Sequence, residues 1–240
     1  MYRSIILLFL LSICFSCQDT KSTKKETPQA PVIIDTLSKK GAPEETAPKS
    51  PKGTPGNPMI ASQAELKPFL KKYGEENPET KIRIENRFGV IEVELFKDTP
   101  LHRANFIMLV KSGYFNTTQF HRVSPDFVVQ GGNNDTKTTA RNRQGIGRYL
   151  LPNEAKKKYP HIRGAFSAAK YSDQNVSKAS SPFEFFIVQS HRGAHHIDGE
   201  HTVFGRVTKG MSVVDKMNKV SVDGTEWPEE NIYMKVEIIE

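Results

Sequence analysis

Apolar and polar residues alternate along most of the chain beyond residue 80, which is the pattern of β-strands with one buried face. Ile82 and Ile84 alternate with polar neighbours, and after a turn at 86–89 the alternation resumes over 91–95. These two segments predict an antiparallel hairpin. Further strands are predicted at 119–123, 127–130, 164–169, 183–189, 202–207 and 232–239.

Two segments of the same region carry helical spacing instead. Thr99 and Pro100 combine an N-cap residue with a proline at the first helical position, and the helix that follows should end near Gly113. A second helix is predicted at 211–218. Many short strands with only two helices predict a mostly β fold in which the sheet closes into an antiparallel barrel. Closure removes the strand edges that would otherwise be exposed.

A further helix is predicted ahead of the barrel, at 61–74. Ser62 and Glu65 have the spacing of a capping box, and Gly74 provides a stop signal. Pro68 argues against an unbroken helix, because its ring clashes with the preceding turn. We therefore expect a short helical appendage that begins late or kinks.

The N-terminal segment MYRSIILLFLLSICFSC has the features of an export signal. Arg3 is followed by an apolar run from Ile5, which is shorter than the roughly 20 residues that a transmembrane helix needs. A small residue precedes Cys17, an arrangement that resembles a bacterial lipoprotein signal. Cleavage before Cys17 would leave a lipid-modified cysteine as the first residue. Cys14 is a poorer candidate because a bulky isoleucine precedes it, and an ordinary signal peptide remains the alternative.

The segment that follows has the composition of a disordered linker. Residues 18–58 hold seven of the 15 prolines, mixed with threonine, serine, lysine and glutamate. Such a segment buries too little apolar surface to offset its ordering entropy. The chain is therefore divided into a lipoprotein signal at 1–17, a disordered linker at 18–58, a helical appendage at 59–79 and the main domain at 80–240.

Charge and histidine content exclude two other classes of site. The net charge is +7, but the lysines lie in short, separate runs rather than in one basic stripe, so nucleic-acid binding is not expected. His195 and His196 crowd one segment with His191 and His201. Adjacent side chains point apart in an extended chain, and no cysteine joins them, so we expect no metal site.

The segment FHRVSPDFVVQGG, at 120–132, places Arg122 within a run that otherwise has the character of a buried strand. A cation is costly to desolvate unless a partner accepts its hydrogen bonds. Arg122 therefore either extends to water or lies ready for a ligand that accepts hydrogen bonds.

This segment resembles the signature of cyclophilin-type peptidyl-prolyl cis-trans isomerases. Three later segments resemble further motifs of that family, in the same order: GAFSAAK at 164–170, FEFFIV at 183–188 and HHIDGEHTVFGRVTKGMSVVDKM at 195–217. The resemblance implies a closed eight-stranded antiparallel barrel with a helix over each open end. It also implies an active site on the outer face of the barrel and no cofactor.

The resemblance also assigns roles to individual residues. Arg122 matches the catalytic arginine, and Gln130 matches the glutamine that contacts the substrate backbone. The positions matched to the apolar pocket and its rim are Phe127, Val128, Ala169, Phe186, Ile197 and His201.

The implied function is rotation about Xaa-Pro bonds of proline-containing polypeptides, and the signal segment places it in the cell envelope. The chain is expected to act as a monomer. The alternative is a binding module or chaperone that holds proline-containing segments with little turnover. Four residues depart from the family pattern and leave substrate preference and cyclosporin binding open: Lys170, Phe183, Glu184 and His196.

The lipid anchor is testable by exchanging each cysteine. Cys17→Ser should yield soluble protein or uncleaved precursor, because the acylated residue is lost. Cys14→Ser is the matched control and should leave membrane attachment intact. Incorporation of labelled fatty acid and membrane fractionation measure both, and fatty acid on the Cys17→Ser protein would show that Cys17 is not the modified residue.

Overall fold

The computed structural model describes residues 52–171 and 177–240. These residues belong to one compact unit of the chain. The predictions for the signal at 1–17, for Cys17 and for the linker up to residue 51 lie outside the described residues. None of the described helices is both long and apolar enough to cross a membrane.

The described residues form nine β-strands and four α-helices. The strands are β1 Lys81–Asn86, β2 Gly89–Leu95, β3 Gln119–Ser124, β4 Val128–Asn133, β5 Ala165–Ala168, β6 Phe185–Val188, β7 Val203–Lys209, β8 Ile232–Tyr233 and β9 Lys235–Ile238. The helices are α1 Gln63–Glu76, α2 Pro100–Lys111, α3 Lys137–Ile146 and α4 Met211–Met217, with short 3-10 turns at Tyr114–Thr117 and His195–Ile197.

The nine strands make one antiparallel sheet that nearly closes on itself, in the order β8-β3-β4-β6-β5-β7-β2-β1-β9. Only Met234 separates β8 from β9, yet the two strands pair with opposite ends of the sheet. Ile232 of β8 lies opposite Phe120 of β3, whereas Val236 of β9 lies opposite Ile84 of β1. The C-terminal segment thus connects the two edges and completes the ring.

The predicted fold class is confirmed, with two corrections. The strand expected at 232–239 is divided at Met234, so nine described strands replace eight. The polar segment at 137–146, for which no helix was predicted, forms α3. It escaped prediction because only Thr139, Gly145 and Ile146 are buried, so the apolar periodicity of a packed helix is absent.

Strand alternation directs one set of side chains into the barrel. Phe106 of α2 enters this core, with its ring edge-on to Phe166 at 5.3 Å and to Phe185 at 5.6 Å. Such edge-to-face contacts add to the stabilisation from burial. The inward-facing strand residues include Ile82, Ile84, Ile91, Val93, Phe120, Val123, Val129, Phe166, Phe185, Ile187 and Phe204.

Both predicted N-caps act differently from expectation. The hydroxyl of Ser62 donates to the Glu65 carboxylate at 3.3 Å and makes no bond to the backbone of α1. Thr99 likewise makes no side-chain cap. The first turn of α2 is capped by Glu154, whose carboxylate accepts from the N–H of His102 at 2.9 Å. A negative charge at that end also complements the helix dipole.

Helix α1 has 14 residues, as many as the predicted segment, but begins and ends two residues later. It continues through Pro68, so the expected break is wrong. The lost backbone hydrogen bond is offset by tertiary packing, because Leu66 and Leu70 are fully buried. The helix also continues past Gly74, which was expected to end it.

Gly74 allows α1 to pack closely against α2. A Cβ at this position would lie 3.0 Å from the Cβ of Ala104 and 3.2 Å from Nη2 of Arg103. The buried guanidinium of Arg103 donates to the carbonyls of Gly74 at 2.7 Å, Asn77 at 2.7 Å and Glu79 at 3.2 Å. One arginine therefore binds a carbonyl in the last turn of α1 and two carbonyls of the segment that follows it.

Residues 52–58, which sequence analysis assigned to the linker, contact the domain. Their turn packs against α3, where a Cβ on Gly145 would lie 2.2 Å from the carbonyl oxygen of Gly53. The N–H of Met59 donates to Gly145 at 2.9 Å, and that of Ile60 donates to Ile146 at 3.0 Å. These contacts join the segment ahead of α1 to the end of α3.

Removal of the Arg103 guanidinium should undock α1. Arg103→Ala leaves buried carbonyls without donors, so the free energy of unfolding should fall by about 3 kcal/mol. Arg103→Lys should lose less, since one ammonium can still reach part of the set. Exposed Arg141→Ala is the control and should change little. Equal urea midpoints for Arg103→Ala and Arg141→Ala would contradict this role.

Candidate active site

An irregularity in β3 places Arg122 on the outer wall of the barrel. Phe120 lies opposite Gly131 and Arg122 lies opposite Gln130, so two steps along β3 match one step along β4. In a regular strand, residues two apart share a face, and Arg122 would point into the core beside Phe120. The bulge reverses its direction and brings it beside Gln130.

The eight side chains predicted for the site meet at one cavity of about 310 Å³ on this outer wall. They are Arg122, Phe127, Val128, Gln130, Ala169, Phe186, Ile197 and His201, and the lining also includes Lys170 and His196. Cavities that bind small ligands or single side chains have volumes from about 300 Å³ upward. The site therefore has room for a proline ring and its neighbouring atoms, and the individual roles remain predictions.

A second apolar cluster, which we call the outer cluster, supplies Val128, Ala169 and Phe186 to the floor of this cavity. Its buried members are Val128, Ala165, Ala169, Phe186, Val188, Ala194 and Val203. Those that lie in strands alternate with core residues along the same strands. Phe186, for example, lies between Phe185 and Ile187, which both face the barrel interior. Phe127 and Ile197 pack against the edge of the outer cluster.

Two histidines hold the Phe186 ring in place. The ring of His161 stacks on it at 5.9 Å, and that of His201 meets it edge-on at 5.4 Å. Nδ1 of His201 donates to the carbonyl of Ala168 at 3.0 Å, and Nδ1 of His161 donates to Asp198 at 2.7 Å. Each bond fixes a ring tautomer and orientation.

Burial lowers the pKa of His201 and also that of His161, so both rings are neutral near pH 7. Burial opposes ionisation of Asp198, but hydrogen bonds from His161 and His195 outweigh it and lower the pKa of Asp198 to about 2. His201 therefore lines the cavity as a neutral imidazole. The ionised carboxylate of Asp198 lies outside the cavity lining.

Arg122 is bound by a residue that sequence analysis missed. Nε of Arg122 donates to Oε2 of Glu226 at 2.7 Å, and Nη1 donates to Oε1 of Gln130 at 3.4 Å. The expectation that Arg122 either extends to water or lies ready for a ligand is therefore incomplete, because the protein itself supplies two acceptors. Glu226 lies 104 residues along the chain in a loop, and no local pattern links it to Arg122.

A second carboxylate orients Gln130. Its Nε2 donates to Oε2 of Glu184 at 3.1 Å, which leaves Oε1 facing Arg122. Glu184 in turn accepts from Arg143 of α3 at 3.1 Å and lies 3.6 Å from His121. Burial alone would raise the pKa of Glu184, but these two neighbours hold it below the usual range. Glu184 is therefore ionised.

The second glycine of the motif permits a close approach between β4 and the segment that precedes β6. Gly132 has φ +98°, and a Cβ there would lie 2.1 Å from the carbonyl oxygen of Phe183. Its own carbonyl accepts from the Tyr114 hydroxyl at 2.8 Å and from Arg143 at 3.1 Å. Gly132 thus brings the backbone beside Glu184 within reach of α3.

Two other arrangements resemble catalytic triads but are enclosed. Each links a serine, a histidine and a carboxylate, and both serines, Ser167 and Ser180, are fully buried. No substrate could reach them, so they brace the fold. The sets are Ser180–His102–Glu154 and Ser167–His161–Asp198. Within 52–171 and 177–240, no three His, Cys, Asp or Glu side chains are grouped to hold a metal ion.

The accessible groups are therefore an oriented guanidinium, an oriented amide and an apolar floor. This set suits the binding of a peptide segment, with a fixed donor aimed at one backbone atom. Residues 80–238 match the family model described as cyclophilin type peptidyl-prolyl cis-trans isomerase/CLD. The chain belongs to this family of enzymes.

Curated relatives cover the same region. A peptidyl-prolyl cis-trans isomerase-like 2 of Rhizopus delemar is 39% identical over 155 residues, which are 64% of this chain and 27% of that protein. The match thus spans about a quarter of that relative's length. A peptidyl-prolyl cis-trans isomerase of Acinetobacter baylyi is 34% identical over 143 residues, which are 59% of this chain and 73% of that protein.

A solved structure shows the same architecture. A cyclophilin type peptidyl-prolyl cis-trans isomerase of Cryptosporidium parvum, crystallised in the presence of the dipeptide Ala-Pro, aligns with a TM-score of 0.55 and 26% identity. The alignment covers 67% of this chain and 99% of that one.

The buried histidines should make stability depend on pH. A folded-state pKa below the unfolded value means that the unfolded chain binds more protons, so stability falls as pH drops through about 6.5. His201→Gln should reduce the loss in unfolding free energy between pH 7.5 and pH 5.5, as measured by urea denaturation. Exposed His191→Gln is the control and should lose as much as the parent. An equal loss in all three proteins would exclude a role for His201.

Proposed function

We propose that this chain catalyses cis-trans isomerisation of Xaa-Pro bonds, with Arg122 as the catalytic residue. The observation that carries the proposal is the meeting of Arg122, Gln130 and the outer cluster at one cavity of suitable size. The family identified above supports the same reaction. The substrates are proline-containing polypeptides, and the chain acts as a monomer.

The reaction needs an environment rather than a nucleophile. The amide bond before proline has partial double-bond character and a rotation barrier of about 18–20 kcal/mol. Rotation removes the conjugation, and the nitrogen becomes pyramidal and more basic. A donor fixed near that nitrogen binds the twisted amide more strongly than either planar form. Such differential binding lowers the barrier.

The energies show that Arg122 cannot act alone. An acceleration of about 10⁵-fold requires about 7 kcal/mol. One charge-assisted hydrogen bond supplies about 1.5–3 kcal/mol. We assign the rest of the reduction in activation free energy to the cavity. Its floor around Phe186 holds the proline ring while the flanking carbonyl rotates. Gln130 fixes the substrate backbone, so that the rotation occurs about one bond.

The N-terminal segment leads us to propose where the protein acts, which is at a membrane of the cell envelope. Cys17 carries lipid, and the residues between it and residue 52 connect it to the catalytic domain. The clients are then cell-envelope proteins that fold after export. The cysteine exchanges described above test this part independently of catalysis.

A low-turnover binding module is the second candidate. It is favoured by the two carboxylates near the reactive cation, because they offset part of its charge. The two functions differ in turnover. A binding module would bind Xaa-Pro peptides yet leave their isomerisation rate near the uncatalysed value.

Turnover by the parent protein decides between the two functions, and Arg122→Ala tests the catalytic residue. It should lower kcat/KM on an Xaa-Pro peptide by about 10²–10³-fold, as for loss of one preorganised charge-stabilising donor. Arg122→Lys should also lose activity, because lysine keeps the charge but lacks the planar fork that contacts two partners. Thermal stability should change little, since the side chain is 36% exposed.

Exposed Arg141→Ala is the matched control in a protease-coupled assay and should equal the parent. A folded Arg122→Ala protein as active as the parent would remove Arg122 from catalysis. A parent protein without turnover would favour the binding module.

A further inference from the structure

The contact between Arg122 and Glu226 fixes the guanidinium at a different atom from Gln130. Glu226 accepts from Nε at 2.7 Å, whereas Gln130 accepts from Nη1 at 3.4 Å. Two acceptors at separate nitrogens define both the position and the plane of a rigid planar group. The other N–H groups remain for a substrate.

The Glu226 carboxylate is itself held. Its Oε1 accepts from the Ser124 hydroxyl at 2.6 Å, so each carboxylate oxygen has a partner on β3. The hydrogen bond from Ser124, together with the charge of Arg122, lowers the pKa of Glu226 and keeps it ionised. The backbone is fixed as well, because the carbonyl of Glu226 accepts from the N–H of Val123 at 2.8 Å.

The loop that carries Glu226 is built to present it. Its backbone has φ +65°, a left-handed conformation that costs free energy in a residue with a side chain. The turn is maintained by Asp223, whose Oδ1 accepts from the N–H groups of Thr225 at 2.8 Å and Trp227 at 3.0 Å. The residue in this strained conformation contacts Arg122, which lines the cavity.

Stability does not account for this arrangement. The side chains of Arg122 and Glu226 are 36% and 37% exposed. Ion pairs at that exposure contribute little to stability, because water screens them and the long side chains lose entropy. The ion pair therefore has little effect on stability, and the loop that supplies Glu226 is strained. Orientation of the Arg122 guanidinium explains why the pair is present.

We propose that Glu226 is a positioning residue for isomerisation: it fixes Nε of Arg122 so that the guanidinium faces the rotating amide. Ser124 completes the device by fixing the carboxylate. This inference rests on the proposed catalytic role of Arg122. Without Glu226 the guanidinium keeps its charge but samples several rotamers, and only some of them direct a donor into the cavity.

The first test separates kcat from KM in the full chain. Glu226→Ala should lower kcat about tenfold with little change in KM, because misorientation affects the transition state more than substrate binding. Glu226→Gln keeps an acceptor for Nε and should lose less. Glu229→Ala removes an exposed carboxylate from the same loop and should behave as the parent. A Glu226→Ala protein with unchanged or increased kcat overturns the proposal, and an increase would mean that the carboxylate only offsets charge.

A double-mutant cycle shows whether Glu226 acts through Arg122. In the Arg122→Ala background, Glu226→Ala should have no further effect on kcat. An independent tenfold loss in that background would assign Glu226 another role and overturn the proposal. If Arg122→Ala alone equals the parent, the proposed function fails instead. If Arg122→Ala is inactive while Glu226→Ala and Glu226→Gln equal the parent, only the positioning role fails.

NMR of ¹⁵N-labelled arginine provides a readout that a merely structural role would not change. The Nε–H resonance of Arg122, assigned by its loss in Arg122→Lys, should be sharp and slow to exchange in the parent. It should broaden or move in Glu226→Ala and change less in Glu226→Gln. An unchanged resonance in Glu226→Ala would show that Glu226 does not hold the guanidinium, and would overturn the proposal.

Discussion

The bulge in β3 is the constraint on which the whole site depends. In a closed barrel every strand side chain faces either the core or the outside, and an arginine two positions after Phe120 would regularly join the core. Burial of an unpaired guanidinium there would cost several kcal/mol. The extra residue keeps Phe120 and Val123 inside and moves Arg122 outside. The same alternation on β4 and β6 supplies Gln130 and Phe186 to the outer face, so one local irregularity assembles cation, amide and apolar floor.

Once Arg122 is outside, its direction becomes the next constraint. A half-exposed arginine has many rotamers, whereas a donor to a pyramidal amide nitrogen must point along one line. The carboxylates of Glu226 and Glu184 limit this freedom from two sides, the first directly and the second through Gln130. Each also offsets some of the positive charge of Arg122. The site therefore has a weaker electrostatic field but a better oriented donor. That exchange favours a reaction in which little net charge develops and a single hydrogen bond must follow the rotating nitrogen.

Sequence analysis predicted the elements that depend on local periodicity. It missed those features that depend on contacts between residues far apart in the chain. Alternation located the strands, and motif resemblance named eight of the ten residues that line the cavity. Helix α3 was missed because its residues are almost all polar, and the ends of α1 were misjudged because Arg103, rather than a glycine stop, satisfies its carbonyls. Glu226 carries no local signal, since its partner lies 104 residues away. The bulge was equally invisible, because it depends on the register between two strands.

The elements around the barrel also bear on the site, although most of them carry none of its residues. Residues 52–79 lie outside the region that matches the family model, yet Gly53 and Ile60 pack on the end of α3. Helix α3 projects Arg143 to Glu184, which orients Gln130 against Arg122. The contacts run without a break from the segment ahead of α1 to Arg122. Glu184 shows why they matter: a buried carboxylate needs a cation, and in this chain α3 provides it. Glu184 and α3 are thus parts of one arrangement that keeps an acidic residue ionised beside the side-chain amide of Gln130.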